Sequence, residues 1–214
     1  MHGTLELVIV QELALVQLNN NFMNDKLYVI KYSGPFGFIK PWTSVRDEET
    51  YSQQFLTPSI IEGIEKKLFP ELLNKNGIHK IKGHRLNYKG LSIQQERTWA
   101  KGGFKVKRDK GIYKTNLGVL KRGIMLEPNL YLTFNNKEDQ QNASKQSICL
   151  CRNEDLLFPK ETFELTQTEF DQISGFELMP VNNNKGFKVG YNRFNNDEAM
   201  YGDLLIKGNP IRND

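Results

Sequence analysis

The sequence predicts an α+β protein whose sheet is mainly antiparallel. Three observations carry this. Short alternating, β-branched segments recur along the chain with turn residues between them. One segment near the start has a clear helical period, and a strand precedes it. A basic alternating segment in the middle folds back on itself around a glycine turn. Strand, helix, then a succession of strands is the element order of an α+β domain.

The first strand is Leu27 to Tyr32, where apolar and polar residues alternate and β-branched side chains are frequent. Gly34-Pro35 bends the chain, and extended structure resumes from Phe36 until Pro41 stops it. A polar loop runs from Trp42 to Gln54, with Arg46 set among Asp47, Glu48 and Glu49. A helix is expected from Ser59, which with Glu62 three residues later has the spacing of a capping box. Ile60, Ile61, Ile64 and Leu68 form its apolar face. Pro70 lacks the amide the next turn needs, so the helix should end near Phe69, and Asn76-Gly77 supplies a left-handed stop.

From Ile78 to Leu91 the pattern is a strand and turn. Phe104-Lys-Val-Lys and Ile112-Tyr-Lys-Thr then alternate with period two around Arg-Asp-Lys-Gly111, the signature of a β-hairpin. Its sequence limits are about 97–116, and Lys105, Lys107 and Lys114 are expected on one face. Leu126 to Phe134 is another strand, with Pro128 suggesting an edge position or a bulge. Residues 135–145 are polar and read as a loop, and Ser147 to Cys151 as a short buried strand. Phe163 to Glu177 reads as weakly helical, with Thr166 or Thr168 as caps. Asn182 to Gly190 is a glycine-containing loop, and Leu204 to Lys207 a last strand.

With 214 residues, 38% hydrophobic content and 13 Phe, the chain can build a real core. One domain is expected over 23–214, preceded by an extension over 1–22. That extension is apolar but holds Glu6 and Glu12 and has no basic stretch. It therefore lacks the pattern of a signal peptide or a membrane span, and Met23 would serve as an alternative start. Cys149 and Cys151, one residue apart, suit neither a disulfide framework nor a four-ligand zinc site, which points to a reducing, cytoplasmic setting and to no metal or other cofactor.

The net charge is only +4, but its distribution is lopsided. Between His79 and Arg122 thirteen Lys or Arg face only Glu96 and Asp109, so this segment is +11 and the remainder −7. Such segregation is the footprint of a polyanion-binding surface, with an acidic partner protein as the rival reading. Lysines can neutralise phosphates while Phe104, Tyr113 and Trp99 offer faces for base stacking.

The N-terminal third also carries a recognisable run. A first strand leads into Gly34-Pro-Phe-Gly-Phe-Ile-Lys-Pro41; Thr50-Tyr51 follows in a polar loop, and Leu56-Thr-Pro-Ser-Ile-Ile-Glu-Gly-Ile64 opens the helix. Over about residues 27–69 this resembles the Cas-five subunits of type I CRISPR effector complexes, above all the type I-C branch. Leu120-Lys-Arg-Gly to Phe134 resembles the family's central strand more weakly, and Ala199-Met-Tyr-Gly-Asp203 its end. The resemblance implies an RRM- or ferredoxin-like RAMP fold with a protruding β-hairpin, the thumb. It implies a Cascade-type role in antiviral defence, gripping the 5′ handle of the guide RNA (crRNA). The partners so implied are a repeating backbone subunit and a large subunit, with target DNA nearby.

On this reading the RNA-binding residues are Arg46, Tyr51, Arg97, Trp99, Lys101, Lys105, Lys107, Arg108, Lys110, Tyr113, Lys114, Lys121 and Arg122. Some members of the branch also cleave precursor RNA without a metal, using a Tyr and a Lys-His neighbourhood. Here the central strand, Met125-Leu-Glu-Pro-Asn129, has no His, and only Tyr51, Lys82 and His84 could serve. No catalytic residue is therefore expected; His84 is expected instead as a surface histidine in an RNA groove. A precursor-processing endoribonuclease and a stand-alone RNA-binding protein are the alternative readings.

Overall fold

The computed structural model describes residues 26–41, 49–99, 105–115, 117–181, 186–192 and 195–212; the expected extension 1–22 lies outside them. The first strand, β1 (Lys26–Ser33), is flanked by strands on each side and buries Val29, Ile30 and Tyr32 completely, on both of its faces. After it come β2 (Phe36–Gly37), β3 (Glu49–Tyr51), helix α1 (Pro58–Leu68), a 3-10 turn (Pro70–Leu72) and β4 (Ile81–Asn87). Four strands then make up the middle of the chain: β5 (Gly90–Trp99), β6 (Val106–Asp109), β7 (Ile112–Thr115) and β8 (Leu117–Leu126). The remainder is β9 (Asn129–Phe134), α2 (Lys137–Ala143), β10 (Ile148–Cys149), β11 (Leu156–Thr166), α3 (Gln167–Phe170), β12 (Gly175–Val181), β13 (Phe187–Asn192) and β14 (Glu198–Lys207).

The main sheet has eight strands in the order β10-β11-β1-β9-β4-β12-β14-β13. Within it, β1-α1-β4-β9-α2-β11 is a βαββαβ succession with spatial order β11-β1-β9-β4, the ferredoxin-like arrangement. The fold is thus α+β with a mainly antiparallel sheet, as the sequence predicts. Among the described strands one pair is parallel, β3 with β8. A core of Ile30, Tyr32, Leu56, Ile61, Ile64, Leu68, Phe69, Leu86, Leu130, Leu132 and Phe134 joins α1 to the sheet. Full burial of each such side chain favours folding by about 1.5–3 kcal/mol.

Helix α1 starts where expected but is capped differently. Thr57 is the N-cap, its side chain makes no capping bond, and Pro58 fills the first turn, where a missing amide costs nothing. The Ser59 hydroxyl lies 3.0 Å from that of Thr57, and Glu62 accepts from Lys66 Nζ at 2.7 Å and Gly77 N at 3.1 Å, so no capping box forms. Ile61, Ile64 and Leu68 are buried as their spacing predicts, and Gly77, at φ +89°, adopts the left-handed conformation. Glu65, also on the buried face, gives its carboxylate to the chain entering β4: it accepts from His79 N, Lys80 N and Ile81 N at 2.8, 2.6 and 2.7 Å.

Three other expectations are corrected. The polar stretch 135–145 contains helix α2, because Asn136 accepts from Asp139 N at 2.8 Å and Gln140 Nε2 donates to Val29 O and Phe163 O. Phe163 and Leu165 belong to β11, paired with Val29 and Leu27, so the expected helix shrinks to α3, which Thr166 and Glu169 do close with a capping box. Pro128 sits in a turn where Glu127 has φ +46°, and β9 after it is an interior strand rather than an edge.

Candidate nucleic-acid interface

Between β4 and β9 the chain leaves the sheet and returns, and what it builds there is a long β-arm. β5 and β8 pair antiparallel over ten residues, from Gly90 opposite Leu126 to Trp99 opposite Leu117. At the base, β8 also pairs with β2 and β3, and Ile124 and Met125 are buried. Farther out, the β5 side chains from Leu91 to Arg97 are exposed whichever face they point to. A two-stranded ribbon with neither face covered is held by its ladder and cross-strand pairs rather than by a core.

The tip is the expected hairpin. β6 and β7 pair from Val106 opposite Thr115 to Asp109 opposite Ile112. Lys110 and Gly111, at φ +47° and +85°, make the reverse turn, and the positive φ at both positions is what a tight hairpin requires. Lys107 lies directly opposite Lys114, so these two share a face as expected, and Lys114 Nζ pairs with Asp109 at 2.7 Å. On the other face Arg108 lies opposite Tyr113, its guanidinium 5.9 Å from the ring centroid. Lys105, Lys107, Arg108, Lys110, Tyr113 and Lys114 are all exposed.

The remaining residues of the expected set are spread along the ribbon. Arg97 is opposite Val119, and Lys121 is opposite Gln95, with its Nζ 3.7 Å from Glu49. Arg122 faces the other side; its Nε is 3.5 Å from Glu96 and its guanidinium is 5.7 Å from the buried Phe38 ring. Tyr51, on β3, lies beside Gly123, where a Cβ would collide with the tyrosine ring. Arg46 and Lys101 lie outside the described residues, as do Trp42 and Phe104; Trp99 ends β5, and its side chain is not among those described.

Arg152, absent from the expected set, reaches the arm's base from the connection between β10 and β11. It stacks on Phe38 at 5.3 Å, is held by Asp155 at 2.6 and 2.7 Å, and places Nη2 3.5 Å from Gln94 on β5. The two arginines on Phe38 join arm to body. Only the fold brings Arg152 next to Phe38 and Gln94, so no local pattern announced it.

Two of the thirteen cations are engaged within the body, one of them buried. Arg85 is buried, ion-paired with Glu177 and with Asp171 at 3.2 Å, and lies over the Phe170 ring at 4.8 Å. Lys80 is tied to Glu71 and Asp139 at 2.9 and 2.7 Å. His84 is likewise corrected: only 3% exposed, it is an interior residue of β4, not a surface histidine. Burial, and then the charge of Arg85, depress its pKa to about 3. Glu177, 3.6 Å from Nδ1, does not offset this because Arg85 already engages it.

The sign of the consequence is fixed. The unfolded chain binds a proton at this imidazole below its ordinary pKa near 6.5, and the folded chain does so only near 3. Stability is unaffected above pH 6.5 and is lost as pH falls, by roughly 3 kcal/mol at pH 4 from this group alone. Denaturation of the wild type and of His84→Leu between pH 7 and pH 4 checks this. The wild type is expected to lose more; parallel curves would mean that the imidazole charges without cost in the folded state.

Tyr51 Oη donates to Glu49 Oε1 at 2.9 Å, and this carboxylate raises the phenol pKa, disfavouring the phenolate a general base would need. Lys82 Nζ donates to His79 O at 3.0 Å. Tyr51 is in the arm's sheet and His84 in the main sheet. Among the described residues, no group of three or more His, Cys, Asp or Glu could hold a metal ion, and no helix is long and apolar enough to cross a membrane. A groove of about 820 Å³ between α1 and β13, lined by Ser59, Glu62, Gly63, Val189 and Tyr191 among others, contains none of the expected RNA-binding residues.

The fold and site together define a ferredoxin-like α+β protein with a basic β-arm inserted between its second and third core strands. No protein-family model matches the chain, and no curated protein does. Among solved structures, a chain described as a CRISPR RNA-guided surveillance complex is 11% identical, with 85% of this chain and 90% of that chain covered and a TM-score of 0.46. So distant a likeness bears on neither the site nor its ligand.

Proposed function

We propose that this chain is a guide-RNA-binding subunit of a CRISPR effector complex and that its arm, as a thumb, holds the 5′ handle of the RNA. One observation carries the reading. Among the described residues of the arm, from Gly90 to Leu126, eight Lys or Arg face two acids, on a ribbon whose β5 strand is exposed from Leu91 to Arg97. Beyond its base the arm contributes little to the core of its own domain, and its charge suits the phosphates of a single strand. Tyr113 beside Arg108 adds a flat, cationic surface on which an unstacked base can rest. The sequence resemblance over residues 27–69 gives the reading its biological setting: a backbone subunit and a large subunit as partners, and target DNA nearby.

The test is binding of the full chain to a labelled 5′-handle RNA across a salt series, with EDTA present. Tight, strongly salt-dependent binding with the RNA left intact supports the holding role. A single clean cut would make the protein a metal-independent endoribonuclease. No preference for handle RNA over heparin would remove guide holding from the isolated chain.

A further inference from the structure

The two faces of the arm differ in a way that RNA holding does not require. The register puts Leu91, Ile93, Gln95 and Arg97 of β5 on one face with Leu117, Val119 and Lys121 of β8, and Tyr51 and Glu49 of β3 continue it. On this face Ile93 is 52% exposed, Tyr51 and Leu117 47%, Val119 41% and Leu91 40%. The β5 half of the opposite face is wholly polar: Ser92, Gln94, Glu96 and Thr98. From Leu91 to the outer end of the ribbon the apolar stripe runs roughly 25 Å, at about 3.3 Å per residue. Four of its five members are aliphatic. They have neither a π-face on which a base could stack nor a hydrogen-bonding group to read one, and against a sugar-phosphate strand they would stay wet. Against an apolar protein surface they would be buried.

The occupant is further defined by charge. Arg97 and Lys121 interrupt the stripe, with Glu49 pairing Lys121, so this face carries two cations against one acid. A second copy of this chain would bring the same charge to the same face, whereas an acidic rim would meet it favourably. We infer that this face of the arm is a protein-docking surface for a partner subunit that is apolar at the contact's centre and acidic at its rim, leaving the basic tip to the RNA. The inference rests on the effector-complex reading for the partner used to test it.

The experiment compares the full-length wild type with Ile93→Thr/Val119→Thr, which keeps β-branching while removing apolar surface, and with Leu91→Gln/Leu117→Gln on the same face. Binding to labelled 5′-handle RNA and to the purified backbone subunit of the same effector complex is measured separately. Far-UV circular dichroism confirms that the variants are folded. Both are expected to bind RNA like the wild type and to lose at least about tenfold in affinity for the subunit. Undiminished subunit binding in both variants overturns the docking surface while leaving the guide-holding reading intact, as does a wild type that binds RNA but not the subunit. Loss of RNA affinity in the variants would assign the stripe to the RNA grip instead. A wild-type dimer dissolved by either variant would make the occupant a second copy. A wild type that binds neither probe overturns the inference and the reading together.

Discussion

Changing Lys105, Lys107 and Lys110 to glutamate is expected to weaken 5′-handle binding by at least about a hundredfold and to flatten its salt dependence. Three lost phosphate contacts should lower the slope of log affinity against log salt by about 2, since each contact to a single strand contributes about 0.7. The three side chains are exposed and lie at or beside the hairpin, so thermal stability should not move. Anisotropy titrations at several salt concentrations, paired with melting curves, read both quantities. An unchanged slope would show that the tip does not meet phosphates, whatever else the arm does.

The largest stability effect is expected at Glu65. Its carboxylate is fully buried and accepts three consecutive backbone amides, those of His79, Lys80 and Ile81, at the entrance to β4. An alanine leaves these donors without partners and opens a void beneath α1; each unsatisfied buried group costs about 1–3 kcal/mol. Glu65→Ala should therefore lose about 4 kcal/mol or more, and the melting temperature should fall by roughly 10 °C or more, at about 2–4 °C per kcal/mol for a chain this long. Glu65→Gln keeps one acceptor oxygen but turns its amide donors toward the backbone donors, and should fall between the two. Denaturant unfolding with a loss below about 1 kcal/mol in the alanine variant would mean that water replaces the carboxylate there.

Much of this fold could be read from local pattern. β1, the apolar face of α1 and the hairpin at the tip have strong periods and clear breakers, and the structure shows them in place. α2 was hidden because its only buried apolar residue is Ala143; it is held instead by Asn136 and by Gln140 reaching β1 and β11. The weak helical reading of 163–166 yields to β11, where cross-strand pairing with β1 outweighs local preference. The segregated charge located the candidate site, but sequence alone could not separate exposed cations from Arg85, whose partners Asp171 and Glu177 lie 86 and 92 residues away. It also could not show that the arm's faces differ, because that depends on the register between β5 and β8.

That register makes the arm's reach and its orientation inseparable. Each cross-strand pair removed from the ribbon shortens it by about 3.3 Å, and because side chains alternate, it also turns the tip's faces over relative to the body. Removing two pairs restores the orientation about 7 Å closer to the body. Length can therefore be adjusted only in double steps if Lys107 and Lys114 are to keep facing the same way. Where such an arm lengthens or shortens among related chains, insertions and deletions should come as matched even numbers on β5 and β8.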